Sequence, residues 1–232
     1  MLLQGKVTLA TGGARGIRKA VCTAFARKGA LVSIVDVDLP AALEVGKLVR
    51  ESGHDPLVLQ ADQLREAVEQ TAGTFGRLDV VVNSAGIAYN GNSVETDEDN
   101  WDRLLGVNLK GTWLCCKYAI PRTLEHGGGS IINLGSIASF VGLKNNAAYN
   151  ASKRGMLVLT RNIAVDFAPA IRANVICPAM ILTPMLEAYM DTVPDRPAYV
   201  RDVKPRLLWV GWGRPKRSPR LRSFSHRIPV PT

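Results

Sequence analysis

The chain has no run of about 18 apolar residues, and its N-terminus lacks the basic start and small-residue cleavage site of a secretory signal. We therefore expect a soluble, cytoplasmic protein with no membrane partner. Cysteine is scarce too, and the four present show neither metal-ligand spacing nor the density of a disulfide scaffold. This predicts reduced, mostly buried thiols and no metal site.

Acidic residues are absent from residues 203–232, which hold eight Lys or Arg. The formal net charge of +9 comes almost wholly from this segment, because the rest of the chain has 21 basic and 20 acidic residues. A nearly neutral body argues against a nucleic-acid partner. Binding of nucleic acid or an anionic surface through the basic tail is kept as a remote alternative.

Short apolar runs alternate with amphipathic stretches along residues 1–203. Strands separated by helix-length segments need crossover connections, which predicts a parallel sheet covered on both faces. We expect a single α/β domain with a doubly wound, Rossmann-like sheet. The predicted strands are 6–11, 31–36, 56–60, 78–83, 130–136 and 171–177, and the predicted helical stretches are 16–29, 39–52, 63–75, 98–124 and 149–168.

Two C-terminal segments differ from this alternation. Residues 184–203 have a weak helical period broken by two prolines, which is typical of a mobile segment beside a substrate site. Residues 204–232 are basic and proline-rich, with no sustained period.

A glycine turn, "TGGARGIR", follows the first predicted strand. Gly12 and Gly16 would let backbone N–H groups approach a pyrophosphate, which the following helix N-terminus also favours. An ordinary tight turn is the alternative, because this pattern alone is weak.

The second predicted strand ends in "VDVD", about 20 residues beyond the glycines. A carboxylate at Asp36 can accept hydrogen bonds from a ribose and repel a 2′-phosphate, which favours NAD over NADP. Arg15 argues the other way, since a basic side chain there could hold that phosphate. Asp36 or Asp38 could instead only cap the next helix.

The strongest pattern is "YNASK", with Ser136 upstream in "NLGSIAS". Tyr149 and Lys153 are four residues apart, so they share one face of a helix. A neighbouring ammonium would lower the pKa of the phenol toward working pH, which makes Tyr149 a candidate general acid and base.

These motifs occur in the order and spacing of the short-chain dehydrogenase/reductase family, which the chain resembles from about residue 3 to residue 203. The motifs are "TGGARGI", "NSAG", "VNLKG", "GSIAS", "YNASK" and "CPAMILTPM". The resemblance implies a catalytic set of Asn108, Ser136, Tyr149 and Lys153. It also implies NAD binding by Gly12, Arg15, Gly16, Ile17, Asp36, Asp62, Asn83, Ala85, Gly86, Val107, Tyr149, Lys153, Pro178, Ile181 and Thr183.

The resemblance also implies a role for each part of the site. Ser136 would hydrogen-bond the substrate oxygen while Tyr149 exchanges a proton with it. Lys153 would bind the nicotinamide ribose, and Asn108 would hold a water of the proton relay. Asp62 and Val107 would lie along the adenosine. Asn83 and Gly86 would lie behind the cofactor, and Ile181 and Thr183 near its carboxamide.

The chain departs from the family pattern at four places. Arg18 replaces the third glycine, Arg154 a small residue and Ala179 a glycine, and the loop after Asp62 is short. An arginine at position 18 must be extruded, tilting the helix, or bury its charge at a cost of several kcal/mol. We expect impaired cofactor binding, with a charge-assisted contact to the pyrophosphate as the possible rescue.

The basic tail is a further departure. Codons can be chosen for residues 207–232 that encode a family-like sequence when they are read two bases later. We therefore suspect that the tail, from about Lys204, is a frameshifted C-terminus. The sheet would then lack its last strand, and "IRANVIC" would be an exposed edge. The homo-oligomer expected for the family becomes doubtful for the same reason.

The sequence as a whole predicts an NAD-dependent oxidoreductase that interconverts a secondary alcohol and a ketone. A degenerate family member with little or no turnover is the alternative. The predicted substrate lining is 88–94, 137–146 and 184–203. It mixes apolar side chains with asparagine, which predicts a modest, partly apolar substrate.

Overall fold

The computed structural model describes residues 2–60, 63–193 and 195–203, in which strands alternate with helices. The strands are β1 (Val7–Thr11), β2 (Leu31–Asp36), β3 (Leu57–Gln60), β4 (Val80–Asn83), β5 (Gly129–Leu134) and β6 (Ile171–Ile176). The helices are α1 (Ile17–Ala26), α2 (Leu39–Arg50), α3 (Leu64–Phe75), α4 (Glu98–Leu105), α5 (Gly111–Leu124), α6 (Ala147–Asp166), α7 (Pro184–Asp191) and α8 (Arg196–Val203).

The strands form one parallel sheet in the order β3-β2-β1-β4-β5-β6. The order reverses between β1 and β4, where Thr11 pairs with Asn83 at the carboxyl end of both strands. In doubly wound sheets a crevice for a ligand opens at this reversal. The predicted α/β, Rossmann-like fold is therefore confirmed.

Alternate residues of the central strands pack against different helices. Leu9 and Val81 join a cluster with α3, α5 and α6, whereas Ala10 and Val82 join a cluster with α1 and α2. Burying a Leu or Val side chain stabilises the fold by about 1.5–3 kcal/mol. The near-continuous apolar runs of these strands are thus explained by burial of both faces.

The structure revises the helical stretch predicted at 98–124. Helix α4 ends at Leu105, a π-helical turn spans Gly106–Lys110, and α5 begins at Gly111. Residues 184–203, predicted as a weakly periodic segment, contain helices α7 and α8.

Strand β6 has one hydrogen-bonded neighbour among the described residues, so it forms the sheet edge there, and its Ile176 is half exposed. The predicted tail, 204–232, lies outside the described residues. None of the described helices combines the length and apolarity needed to cross a bilayer.

Candidate active site

A cleft of about 650 Å³ lies along the carboxyl ends of the strands, between the glycine turn, the loop after β4, α6 and α7. Its wall contains the cations Arg15, Arg18 and Lys153, and no Asp or Glu among the described residues. In the part of the chain that the structure describes, no group of three or more His, Cys, Asp and Glu could hold a metal ion. The electrostatics of the cleft favour an anionic ligand.

The glycine turn closes tightly on the neighbouring loops. Gly12 has φ +65°, and a Cβ on it would lie 2.8 Å from the Cα of Ala85. Gly16 has φ +58°, and its Cβ would lie 3.2 Å from the Thr183 side chain. Both positions therefore need glycine for backbone conformation and for space. The turn ends where α1 begins, so free helical N–H groups face the cleft end of β1.

The two aspartates of "VDVD" have different partners. The carboxylate of Asp36 accepts the Ala14 N–H at 3.0 Å and the Asp38 N–H at 3.0 Å, which fixes it against the glycine turn. Asp38 caps α2 by accepting the Ala41 N–H, and it forms an ion pair with Arg15. The alternative that an aspartate caps the next helix is thus correct for Asp38, whereas Asp36 hydrogen-bonds the glycine turn.

Helix α6 places Tyr149 and Lys153 on one face, beside Ser136 at the end of the loop after β5. The Lys153 Nζ lies 5.7 Å from the centre of the Tyr149 ring and donates to the Leu134 carbonyl at 2.7 Å. The Ser136 hydroxyl accepts the Ala138 N–H at 3.2 Å. The structure therefore brings the predicted Ser, Tyr and Lys together in the cleft wall.

Burial is the main cause of the pKa shifts of Tyr149 and Lys153. It raises the pKa of Tyr149, against the opposing effects of the Ser136 hydroxyl and the Arg18 charge. Burial and, to a smaller extent, the Arg18 charge lower the pKa of Lys153 to about 8. The predicted lowering of the tyrosine pKa toward working pH is wrong, because desolvation outweighs the Ser136 hydrogen bond and the Arg18 charge.

Asn108 is buried in the π-helical turn, and its amide holds the loop after β4. Its Oδ1 accepts the Ile87 N–H at 2.8 Å, and its Nδ2 donates to the Ile87 carbonyl at 3.0 Å and to the Ser152 hydroxyl at 3.1 Å. Both amide N–H groups and one lone pair of the amide oxygen are therefore used by protein groups. Its predicted role in holding a water stays a prediction.

Several predicted cofactor residues do not line this cleft. Asn83 lies in the core, where its Nδ2 donates to the Asn133 Oδ1 at 2.9 Å. Ala85 packs under Gly12, and Val107 is exposed on the π-helical turn. Asp62 lies outside the described residues. The predicted residues that do line the cleft are Arg15, Gly16, Ile17, Gly86, Ser136, Tyr149, Lys153, Pro178, Ile181 and Thr183.

Arg18 neither extrudes its side chain nor pairs with a carboxylate among the described residues. Its guanidinium lies in the cleft, where Nη2 donates to the Gly86 carbonyl at 3.3 Å. The guanidinium therefore faces the crevice. This outcome lies between the two expected ones, extrusion of the side chain and burial of its charge. Arg154, the second replacement, stays exposed and donates to the Ser139 carbonyl at 2.8 Å.

Sequence reasoning missed two supports of the site. Ser139 accepts the Ser136 N–H at 3.3 Å and donates to the Lys153 carbonyl at 2.9 Å, and its spacing of three from Ser136 was a capping-box signal. The Asn146 amide donates to the Tyr189 hydroxyl at 2.8 Å, joining α6 to α7. No local pattern could reveal that contact between residues 43 apart.

The fold and cleft together define an α/β, Rossmann-like protein with Ser136, Tyr149 and Lys153 in one cleft. The short chain dehydrogenase family model matches residues 6–193, and the chain belongs to this family of oxidoreductase enzymes. It is 36% identical over 211 residues to an uncharacterized oxidoreductase of Thermotoga maritima, covering 89% of this chain and 84% of that protein. It is 37% identical over 187 residues to D-threitol dehydrogenase of Mycolicibacterium smegmatis, covering 78% and 72%.

Solved structures of related enzymes agree with this family assignment. Levodione reductase superposes with a TM-score of 0.81 at 32% identity, covering 85% of this chain and 80% of that one. Carveol dehydrogenase of Mycobacterium avium, in complex with NAD, superposes with a TM-score of 0.76 at 28% identity, covering 79% and 73%.

Proposed function

We propose that the protein is an NAD-dependent oxidoreductase that interconverts a secondary alcohol and a ketone, with Tyr149 as the general acid and base. The supporting observation is the placement of Tyr149, Lys153 and Ser136 on one wall of the cleft at the sheet reversal. A phenol and a hydroxyl on one wall can both reach a single substrate oxygen.

A bound nicotinamide supplies or accepts the hydride at the substrate carbon. In reduction, Tyr149 donates its hydroxyl proton to the carbonyl oxygen, and Ser136 donates a hydrogen bond to that oxygen as negative charge develops. The raised pKa of Tyr149 keeps the phenol protonated before the transfer, as a general acid requires. Lys153 stabilises the tyrosinate that remains until solvent returns the proton.

The residues present fit a dinucleotide. The glycine turn lines the cleft at the start of α1, where a helix N-terminus favours a diphosphate, and the cleft wall is cationic. Asp36 lies at the end of β2, where a carboxylate can meet the adenosine ribose, and this supports NAD over NADP. The Arg15 ion pair with Asp38 leaves that cation partly neutralised, which weakens the case for a 2′-phosphate.

The substrate side of the cleft supports a small, partly apolar alcohol or ketone. Leu143, Met185 and Tyr199 contribute apolar surface, and Asn146 and Tyr189 contribute polar atoms to the same cleft. The relatives' names, D-threitol dehydrogenase and levodione reductase, agree with small oxygenated substrates.

Substitution of Tyr149 by Phe tests the proposal. The variant keeps the ring and loses the transferable proton, so kcat with a panel of ketones should fall by about 10²- to 10⁴-fold. NADH affinity, measured by fluorescence titration, should stay within about twofold, and Tyr118→Phe, in α5 and outside the cleft lining, serves as the matched control. Unchanged turnover in the Phe variant would refute the role of Tyr149.

A degenerate protein with little or no turnover is a second candidate function, and the guanidinium of Arg18 in the crevice is the observation that favours it. Saturable NADH binding without turnover across a broad panel of alcohols and ketones would support this alternative. Turnover by the natural chain would exclude it.

We also propose that residues 204–232 are a frameshifted C-terminus, on the codon argument given above. Sequencing the gene tests this point. An unbroken frame with no family-like sequence two bases downstream would refute it. A chain with the frame restored should form the homo-oligomer expected for the family, as measured by light scattering.

A further inference from the structure

The guanidinium of Arg18 lies close to both loops that flank the sheet reversal. Its Nη2 donates to the carbonyl of Gly86, after β4, and its Nη1 lies 3.1 Å from the position that a Cβ on Gly12, after β1, would take. The side chain therefore lies across the crevice in which a doubly wound sheet binds its ligand.

This guanidinium is a fixed cation with little local compensation. No carboxylate lies within ion-pair distance of it among the described residues, and one backbone carbonyl accepts from its five N–H groups there. Burial lowers the pKa of Arg18, and the charge of Asp36 opposes that effect. A guanidinium keeps its proton in proteins, so the positive charge persists.

The Arg18 charge acts at the catalytic end of the cleft. Arg18 in α1 and Tyr149 and Lys153 in α6 line the same cleft, and the Arg18 charge lowers the pKa of both other groups. Hydride and proton add to adjacent atoms of one carbonyl, so in the proposed reaction the nicotinamide ring must lie beside Tyr149. The Arg18 charge therefore acts on the nicotinamide ring, whose own charge differs between the oxidised and the reduced cofactor.

We infer that Arg18 makes the site distinguish the reduced from the oxidised cofactor, favouring NADH. This inference rests on the proposed function. The oxidised nicotinamide ring is a cation and the reduced ring is neutral, whereas the diphosphate and both riboses are the same in the two forms. Repulsion between two unit charges within about 10 Å, at an effective dielectric constant of about 20, changes a dissociation constant by roughly tenfold or more.

The ratio of the two dissociation constants isolates this effect. Any contact of Arg18 with the diphosphate, and any steric cost of its side chain, contributes equally to both forms and cancels in the ratio. Each tenfold preference for NADH also raises the midpoint potential of the bound two-electron couple by about 30 mV. The overall equilibrium of the reaction is unchanged, because the preference concerns only bound cofactor.

Isothermal titration of the full chain with NAD⁺ and with NADH tests the inference. The ratio of Kd for NAD⁺ to Kd for NADH should fall roughly tenfold in Arg18→Met, which keeps length, and in Arg18→Gly, which restores the family's residue. The ratio should stay at the wild-type value in Arg18→Lys, which retains the positive charge. Arg15→Met is the matched control, since Arg15 lines the same cleft but is exposed and ion-paired with Asp38.

The outcomes separate the inference from the proposed function. A wild-type ratio retained in a folded neutral variant, with either Met or Gly at position 18, overturns the inference and leaves the oxidoreductase proposal intact. An equal fall of the ratio in Arg15→Met also overturns the inference. The preference for NADH would then come from any positive charge in the cleft and not from Arg18. Failure of the wild-type chain to bind either nucleotide refutes the proposed function, and the inference with it.

Discussion

The amide of Asn108 holds the backbone of Ile87 at both its N–H and its carbonyl. This pair joins the π-helical turn between α4 and α5 to the loop after β4, one residue beyond Gly86. A side chain buried in an irregular helical turn thereby fixes one wall of the candidate active site. Its third bond, to Ser152, extends the support to α6.

Replacement of Asn108 by Ala should leave the buried Ile87 groups without partners. Each unsatisfied group costs about 1–3 kcal/mol, so we expect the free energy of unfolding to fall by about 2–4 kcal/mol. Urea denaturation with an unchanged m value measures this loss. Asn100→Ala, at a partly exposed position in α4, is the control and should cost much less, because its amide bonds only the exposed Asp97 carboxylate. Equal losses in the two variants would contradict the role of the Asn108 amide.

The buried ammonium of Lys153 predicts a pH dependence of stability. Its pKa is about 8 in the folded chain, below the ordinary value of 10.5, so the folded state binds fewer protons between these values. Stability must therefore rise with pH across that window, and the penalty is fully present below pH 8. Relative to Lys153→Met, the natural chain should gain about 2 kcal/mol between pH 7 and pH 9.5. A constant difference in urea unfolding would show that the lysine is not desolvated.

Three of the four cysteines should resist alkylation in the folded protein. Cys22, Cys115 and Cys116 are buried, and burial raises the pKa of Cys22 and of Cys116 to about 12, whereas Cys177 is partly exposed. Because the thiolate is the reactive form, iodoacetamide at pH 8 should label Cys177 alone. Mass spectrometry should show one label on native protein and four after denaturation. Rapid labelling of Cys22 would contradict the packing of α1 against the sheet.

Much of the fold follows from local pattern. Strand β2 has the bounds predicted from its apolar run, and the other strands differ by up to two residues at an end. Strand β4 begins at Val80 and not at residue 78. Just before it, the Asp79 carboxylate accepts Lys6 at 2.9 Å, Arg77 at 2.6 Å and the Val7 N–H at 3.0 Å. That network involves residues 73 positions apart, which no window of sequence contains.

The amino-acid sequence by itself determined the parallel sheet, the glycine turn and the helical spacing that places Tyr149 and Lys153 together, because these depend on residue type and on period. The tertiary structure decided what depends on neighbours distant in the chain. It placed the guanidinium of Arg18 against Gly86, and it made burial dominate the protonation of Tyr149. Desolvation and cross-strand contacts are properties of the packed chain, so they arise only when the loops of β1 and β4 meet at the sheet reversal.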